Sequence, residues 1–266
     1  MCMRKRIYGK LTALALAGAM VLSGCGQSGG NSGTSTADSK AETSASSGAE
    51  TSSEKKPESI GRTDIISANS SDIRSMDPQV GVDSPSATLN YHIYNGLIKI
   101  DDNREPVGDL AESFEIVDDT KYKFKLRKGV KFHNGDELKA SDVKFSLERA
   151  KEMPRVKQYV EQIDSITVED DHNLTLHLAE PYAPLLAALS HTGTSIVPEA
   201  AVTAQGDAFW ENPIGTSPMQ FVEWVPNDHY SLKRFDDYFK GPGKTTSLTL
   251  RIMPEGGART IALETG

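Results

Sequence analysis

Side chains that could perform catalysis or bind a metal are scattered along the sequence. The closest two of the six histidines, His172 and His177, are separated by a predicted turn and strand, which directs their side chains to opposite faces. Adjacent aspartates could serve acid–base catalysis, but each pair lies at a predicted turn, where Asp bonds to its own backbone; the pairs are Asp101-Asp102, Asp118-Asp119 and Asp236-Asp237. Motifs of phosphate loops, zinc proteases, serine hydrolases and Cys-x-x-Cys redox sites are absent from the sequence. The sequence therefore predicts no enzyme, no metal site and no cofactor.

The two cysteines, Cys2 and Cys25, belong to a segment typical of protein export. Residues 1–24 have a basic start, an apolar run over residues 11–22 and a small-residue end, which together predict a secretory signal peptide. A transmembrane helix needs about 20 apolar residues, so the shorter run favours cleavage over a membrane span. The Leu-Ser-Gly-Cys sequence of residues 22–25 resembles the bacterial lipobox. This resemblance implies a lipid on Cys25 that anchors the protein to the extracytoplasmic face of the cell membrane.

Charge and composition describe the rest of the chain. The net charge is −8, and removal of the four basic residues of the signal leaves 25 basic against 37 acidic residues, or −12. We expect an acidic surface without a basic stripe, which argues against a nucleic-acid partner. Residues 25–59 contain no aromatic and no branched aliphatic residue, so they predict a disordered tether. Residues 60–266 predict the folded domain.

Alternating hydrophobicity predicts the elements that would position a site in this domain. Tyr122, Phe124 and Leu126 alternate with lysines, which predicts a half-buried strand in a hairpin with residues 112–117. The other predicted elements are hairpins over residues 165–178 and 219–234, strands over residues 63–68, 97–100 and 247–252, and helices around residues 87–96, 141–151, 182–190 and 258–264. Ser141 is the expected N-cap of its helix. This irregular mixture predicts an α/β fold of mixed α+β type without internal repeats.

Several stretches, in order, resemble the bacterial solute-binding proteins of family 5, the oligopeptide, dipeptide and nickel receptors of ABC importers. The matching stretches are Ser75-Met76-Asp77-Pro78, Tyr94-Asn95-Gly96-Leu97, and residues 106–114, 124–135, 140–149, 212–219 and 224–238. The match over residues 124–149 is the longest and most specific, and we interpret it as scaffold rather than ligand contact. The resemblance extends from about residue 63 to residue 266.

The resemblance implies a lobe of the type II periplasmic-binding-protein-like fold with an inserted, hairpin-rich subdomain. Residues 60–100 and 195–266 would form lobe one, and residues 101–194 the inserted subdomain. Family members continue through a second lobe, so the resemblance also implies that this lobe is missing from the sequence.

By the same resemblance, the protein would capture an oligopeptide or dipeptide outside the membrane and deliver it to the permease subunits of an ABC transporter. One wall of the ligand site would be Val82-Asp83-Ser84, which would pair with the peptide backbone as an added β-strand. The turn Gly215-Thr216-Ser217 is the second candidate wall, and Gly215 would permit its backbone conformation.

Two other classes of function stay open from the sequence. An exported enzyme on a similar scaffold would need a nucleophile or metal constellation. A truncated, binding-incompetent fragment or interaction module would expose an apolar face. The sequence also departs from the family pattern at Lys139, where a helix-capping Thr is usual, at Ser217, where Gly is usual, and at Met219, where an aromatic is usual. We expect Ser217 to restrict a turn that Gly would allow.

Overall fold

A computed structural model describes residues 63–265 of the chain. The predicted signal peptide, the predicted lipidation site Cys25 and the predicted tether lie outside these described residues. Among residues 63–265, no helix is both long and apolar enough to cross a membrane.

Ten strands and five α-helices form the described part of the chain. In chain order they are β1 (Asp64–Asn69), α1 (Ser84–Ile93), β2 (Ile98–Ile100), β3 (Pro106–Gly108), β4 (Ala111–Asp118), β5 (Lys121–Leu126), α2 (Ala140–Glu152), β6 (Ile163–Asp170), β7 (Asn173–Leu178), α3 (Leu185–Ala188), α4 (Glu199–Gln205), β8 (Met219–Val225), β9 (His229–Arg234), β10 (Ser247–Ile252) and α5 (Gly256–Thr265). Short 3₁₀ turns occupy Lys157–Tyr159, Thr192–Thr194 and Gly206–Glu211.

The first large sheet joins the two ends of the described chain. Its order is β1-β10-β9-β8, with β1 parallel to β10 and the other pairs antiparallel. In β9 and β10 alternate residues are buried, as expected for a sheet that covers a core with one face.

The second large sheet is antiparallel throughout, with the order β4-β5-β7-β6. Its inner face carries Tyr122, Phe124 and Leu126 of β5, all buried. The lysines that alternate with them point to the outer face. A small sheet of β2 and β3 leads into β4.

Buried side chains form two hydrophobic cores. The first contains residues between Leu97 and Ile196, and it packs the second large sheet against α2 and α3. The second combines residues 73–94 with residues 197–250, and it packs α1 against the first large sheet. The chain therefore passes from the second core into the first and back again.

The start of α2 differs from the expectation. The N-cap is Lys139, not Ser141, because the chain enters the helix two residues earlier than predicted. The Lys139 side chain makes no capping bond, but the Asp142 carboxylate accepts the N–H groups of Lys139 at 2.8 Å and of Glu199 at 2.9 Å. Asp142 lies in the first turn of α2, where a carboxylate is favourable. Burial raises the pKa of this carboxyl group.

The predicted hairpins and strands agree with the structure to within about two residues. Strand β3 was not predicted, and α1 begins and ends three residues earlier than the prediction of residues 87–96. The helix predicted over residues 182–190 is wrong in length, because α3 begins after Pro184 and ends within four residues. The chain then turns at His191, whose Nδ1 accepts the N–H of Gly193 at 3.0 Å. Helix α4 was not predicted.

Candidate functional site

The first candidate wall, Val82-Asp83-Ser84, forms the N-terminal end of α1. Asp83 is the N-cap, with an extended backbone at φ −71° and ψ 156°. Its carboxylate accepts the N–H of Ser86 at 3.2 Å and the hydroxyl of Ser86 at 3.0 Å. The Asp83 side chain therefore caps the helix, and the backbone is what this wall offers to a ligand.

Two backbone groups of this segment are available for hydrogen bonding. In the part of the chain that the structure describes, neither the Val82 carbonyl oxygen nor the Ser84 N–H has a hydrogen-bond partner. Ser84 is exposed and Val82 is half-buried. An extended peptide laid along the segment could bond to both groups, which is the geometry of strand addition.

A buried ion pair supports the loop that leads into this wall. The Arg149 guanidinium of α2 donates to both carboxylate oxygens of Asp77, at 3.1 and 2.6 Å, and to the Gln79 side-chain oxygen at 2.6 Å. Gln79 in turn donates from its amide nitrogen to the Ser146 carbonyl at 2.8 Å. No periodic signal in the sequence points to this network, although Asp77 lies in a stretch that carries the family resemblance.

The second candidate wall, Gly215-Thr216-Ser217, is packed against the C-terminal end of α1. A Cβ atom on Gly215 would lie 1.9 Å from the Ile93 carbonyl oxygen. The Thr216 hydroxyl donates to the Asn95 side-chain oxygen at 3.0 Å, and the Ser217 hydroxyl donates to the Tyr94 carbonyl at 3.1 Å. All three residues are buried. This segment therefore has a structural role, because it holds the C-terminal end of α1 in place.

Two expectations about this segment are corrected. Gly215 does not have a positive φ, so it is required by the close approach to α1 and not by an unusual turn. Among the described residues, only Arg104 and Asn227 are non-glycine residues with positive φ, so Ser217 adopts its turn without strain.

His133 connects the second wall to the loop that follows β5. Its Nδ1 accepts the Gly215 N–H at 3.2 Å, and its Nε2 donates to the Ser217 carbonyl at 2.9 Å. The ring also meets Phe235 edge-on, with 5.0 Å between the ring centroids. Burial lowers the pKa of His133 to about 4, so the ring is neutral at physiological pH. Nothing in the sequence spacing signals this role.

The structure does not bring the two candidate walls together. Helix α1 has ten residues, so at about 1.5 Å per residue its ends lie about 14 Å apart. Ser217 instead borders a cavity of about 210 Å³ near the C-terminal end of α1. This cavity also contacts Tyr91, Tyr238 and Lys240, and burial beside Asp109 raises the pKa of Tyr238 to about 12.

The described residues contain no group of three or more His, Cys, Asp or Glu side chains that could hold a metal ion. His177 contacts the Thr167 hydroxyl at 3.3 Å, whereas His172 lies 3.7 Å from Glu137. Asp101 and Asp118 accept backbone N–H groups of their own turns, as predicted. In the third pair, Asp236 and Asp237 instead accept hydrogen bonds from the side chains of Arg234 and Lys131.

Comparison with known proteins gives matches over most of the described chain. A model described as "bacterial extracellular solute-binding proteins, family 5 Middle" matches residues 105–266. Glutathione-binding protein GsiB of Pectobacterium atrosepticum is 33% identical over 208 residues, which cover 76% of this chain and 40% of that protein.

Two solved structures have a similar fold. MoaA of A. tumefaciens R10, in complex with mannopinic acid, has a TM-score of 0.72 and 28% identity, over 77% of this chain and 44% of its own. DppA of Helicobacter pylori, in complex with the peptide STSA, has a TM-score of 0.70 and 29% identity, over 77% of this chain and 46% of its own. The chain thus spans less than half the length of each of these relatives.

Proposed function

Because the chain belongs to the bacterial extracellular solute-binding proteins of family 5, we propose that it is a substrate-binding component of an ABC importer. It captures a peptide or a similar small solute outside the cytoplasm and delivers it to the permease subunits. One observation carries the proposal: the similarity to GsiB, a glutathione-binding protein, extends over 76% of the chain. Glutathione is itself a tripeptide, and DppA was solved with a peptide.

In this proposal, the ligand backbone pairs with the N-terminal end of α1. The support is the pair of unused backbone groups on Val82 and Ser84. Main-chain recognition suits a receptor for many peptides, because every peptide carries the same N–H and C=O groups. Gly215-Thr216-Ser217 would contribute indirectly, by fixing the opposite end of α1.

We further propose the division into lobe one (residues 60–100 and 195–266) and an inserted subdomain (residues 101–194). The two hydrophobic cores support this division. The chain passes from the second core to the first between Tyr94 and Leu97, and it returns to the second core between Ile196 and Val197.

Lipid attachment at Cys25 and residence on the extracytoplasmic face of the membrane complete the proposal. The test is labelling of cells with a fatty-acid analogue, followed by fractionation of wild-type protein and the Cys25→Ala variant. We expect the label only on the wild type. Absence of label from the wild type, or equal labelling of Cys25→Ala, would refute the lipid anchor.

The binding-incompetent fragment or interaction module also has one observation in its favour. Apolar side chains of β1 and α5 are exposed, including Ile66 at 63% and Leu263 at 87%. Such exposure marks surfaces that pack against another body of protein.

Calorimetry with a mixture of tripeptides separates these possibilities. The receptor proposal expects saturable binding without turnover, and the fragment proposal expects none. Ser84→Pro removes the N–H of the first helical residue, a position that accepts proline, so loss of one hydrogen bond should weaken peptide binding about tenfold. The matched variant Ser84→Ala keeps the N–H and should bind as the wild type does. Equal affinities of both variants would refute the proposed pairing.

A further inference from the structure

A recess with a volume of about 500 Å³ lies where the end of β5 meets the segment that follows β9. We refer to it as the basic recess, and its lining residues are Glu112, Lys125, Arg127, Lys128, Phe239 and Lys240. Four of these six side chains are cationic, on a protein whose net charge is −8. The recess is therefore a positively charged region on a protein with a negative net charge.

The origin of the recess is the alternation of β5. Lys121, Lys123 and Lys125 share the outer face of the sheet because side chains two positions apart point the same way. Arg127 and Lys128 extend the row past the end of the strand. A count of charges over the sequence does not reveal this alignment on one face of a sheet.

Two of the four cations have an internal countercharge. The Lys125 ammonium lies 2.7 Å from Glu112, and both side chains are about half exposed. Lys240 forms an ion pair with Asp109, which is almost fully buried. Lys125 is also the main cause of the lowered pKa of Glu112, and Arg127 and Lys128 lower it further. All three cations therefore act on the same carboxylate.

The other two cations have no ion-pair partner within residues 63–265. Arg127 donates from Nε to the Asp109 carbonyl oxygen at 2.8 Å, an uncharged acceptor. Lys128 is exposed, and its ammonium has no carboxylate partner among the described residues. With Glu112 and Asp109 counted against the four cations, the recess keeps an excess of two positive charges.

We propose that the basic recess binds a phosphoryl group. A guanidinium presents paired N–H donors that match two phosphate oxygens, and an adjacent ammonium adds a point charge. The volume is within the range of small-molecule sites, and Phe239, with the Lys240 ammonium 4.9 Å from its ring centroid, supplies an apolar wall. Phosphorylated solutes and lipid head groups present the same chemistry, and the test separates these two sources.

The first arm is calorimetric titration of the purified chain with inorganic pyrophosphate at low salt. Lys128→Gln should weaken binding about tenfold, and Arg127→Lys should do the same because an ammonium cannot donate two parallel hydrogen bonds. Glu112→Gln should tighten binding several-fold, since it removes the anion inside the recess. Lys233→Gln, an exposed lysine of β9 outside the recess, is the matched control and should leave affinity unchanged.

The second arm is sedimentation with vesicles of phosphatidylcholine alone or mixed with phosphatidylglycerol. Binding to the mixed vesicles only, with displacement by pyrophosphate, would identify a lipid head group as the source. Binding of pyrophosphate without vesicle binding would identify a soluble phosphate compound. Absence of both, or an equal loss in Lys233→Gln, would overturn the proposal. Melting curves confirm that each variant is folded.

Discussion

Acidification should destabilise this protein through one half-buried ring, His133. In the folded state burial lowers its pKa to about 4, and only the hydrogen bond to the Ser217 carbonyl opposes that shift. In the unfolded chain the ring should have the ordinary pKa of about 6.5. Below pH 6.5 the His133 ring therefore binds a proton in the unfolded chain but stays neutral in the folded protein until the pH approaches 4. Stability should be independent of this group above pH 6.5, fall between pH 6.5 and 4, and level off below.

The size of the effect follows from the two pKa values. At pH 4.5 the linkage relation gives a loss of about 2.5 kcal/mol relative to pH 7.5. Protonation of Nδ1 also removes the acceptor for the Gly215 N–H, which lies 3.2 Å away. The same event therefore loosens the contact between the loop after β5 and the segment that holds the C-terminal end of α1.

The assay is urea unfolding of the wild type and of His133→Gln between pH 7.5 and 4.5. Glutamine keeps a donor and an acceptor but does not titrate, and the carboxylates contribute equally to both proteins. The stability advantage of the wild type should shrink by about 2.5 kcal/mol across this range. A proton NMR titration of the folded protein should place the midpoint of His133 near 4. A constant stability difference, or an NMR midpoint above 6, would refute the reasoning.

Three further predictions concern stability measured by denaturant unfolding. Asp77→Asn should lower the free energy of unfolding by about 3 kcal/mol, because it leaves the largely buried Arg149 guanidinium without a countercharge. Adding Arg149→Met to that variant should recover part of the loss. A loss below about 1 kcal/mol would contradict the stabilising role of the pair. Lys139→Thr should stabilise by about 1 kcal/mol by supplying the missing N-cap oxygen of α2, whereas Lys139→Ala should not. Gly215→Ala should destabilise by at least about 2 kcal/mol, since its Cβ would clash with a carbonyl oxygen of α1. Gly257→Ala in α5 meets only open space, so it should be neutral or stabilising, and similar results for the two glycines would contradict the packing argument.

The hairpins were predictable because their signal is local. In β5, the apolar residues Tyr122, Phe124 and Leu126 are buried and the intervening lysines are not, as their alternation requires. Helix α4 was not predictable in the same way. It has seven residues, and its first N–H is held by Asp142, a residue 57 positions earlier in the chain. A partner so distant leaves no periodic signal.

The candidate site shows the same limit. Motif resemblance suggested the two candidate walls, but it could not reveal that these segments lie at opposite ends of α1. Nor could it assign His133, whose two partners are 82 and 84 residues away in sequence. The sequence suggested that Gly215 serves a turn. In the structure, glycine is required at this position because the Ile93 carbonyl oxygen lies too close for a side chain. Contacts of this kind exist only after the two cores have assembled.

The two cores also differ in how their parts are distributed along the chain, which bears on the order of folding. All buried residues of the first core lie within one continuous stretch, between Leu97 and Ile196. The second core combines residues 73–94 with residues 197–250. Its sheet requires β1 to meet β10, and Asp64 pairs with Ser247, 183 positions later. Closing so long a loop costs chain entropy before any contact repays it, so the continuous core should form first. During synthesis from the N-terminus, β1 must wait unpaired, with Ile65 and Ile66 open to association with other chains, until β10 has emerged.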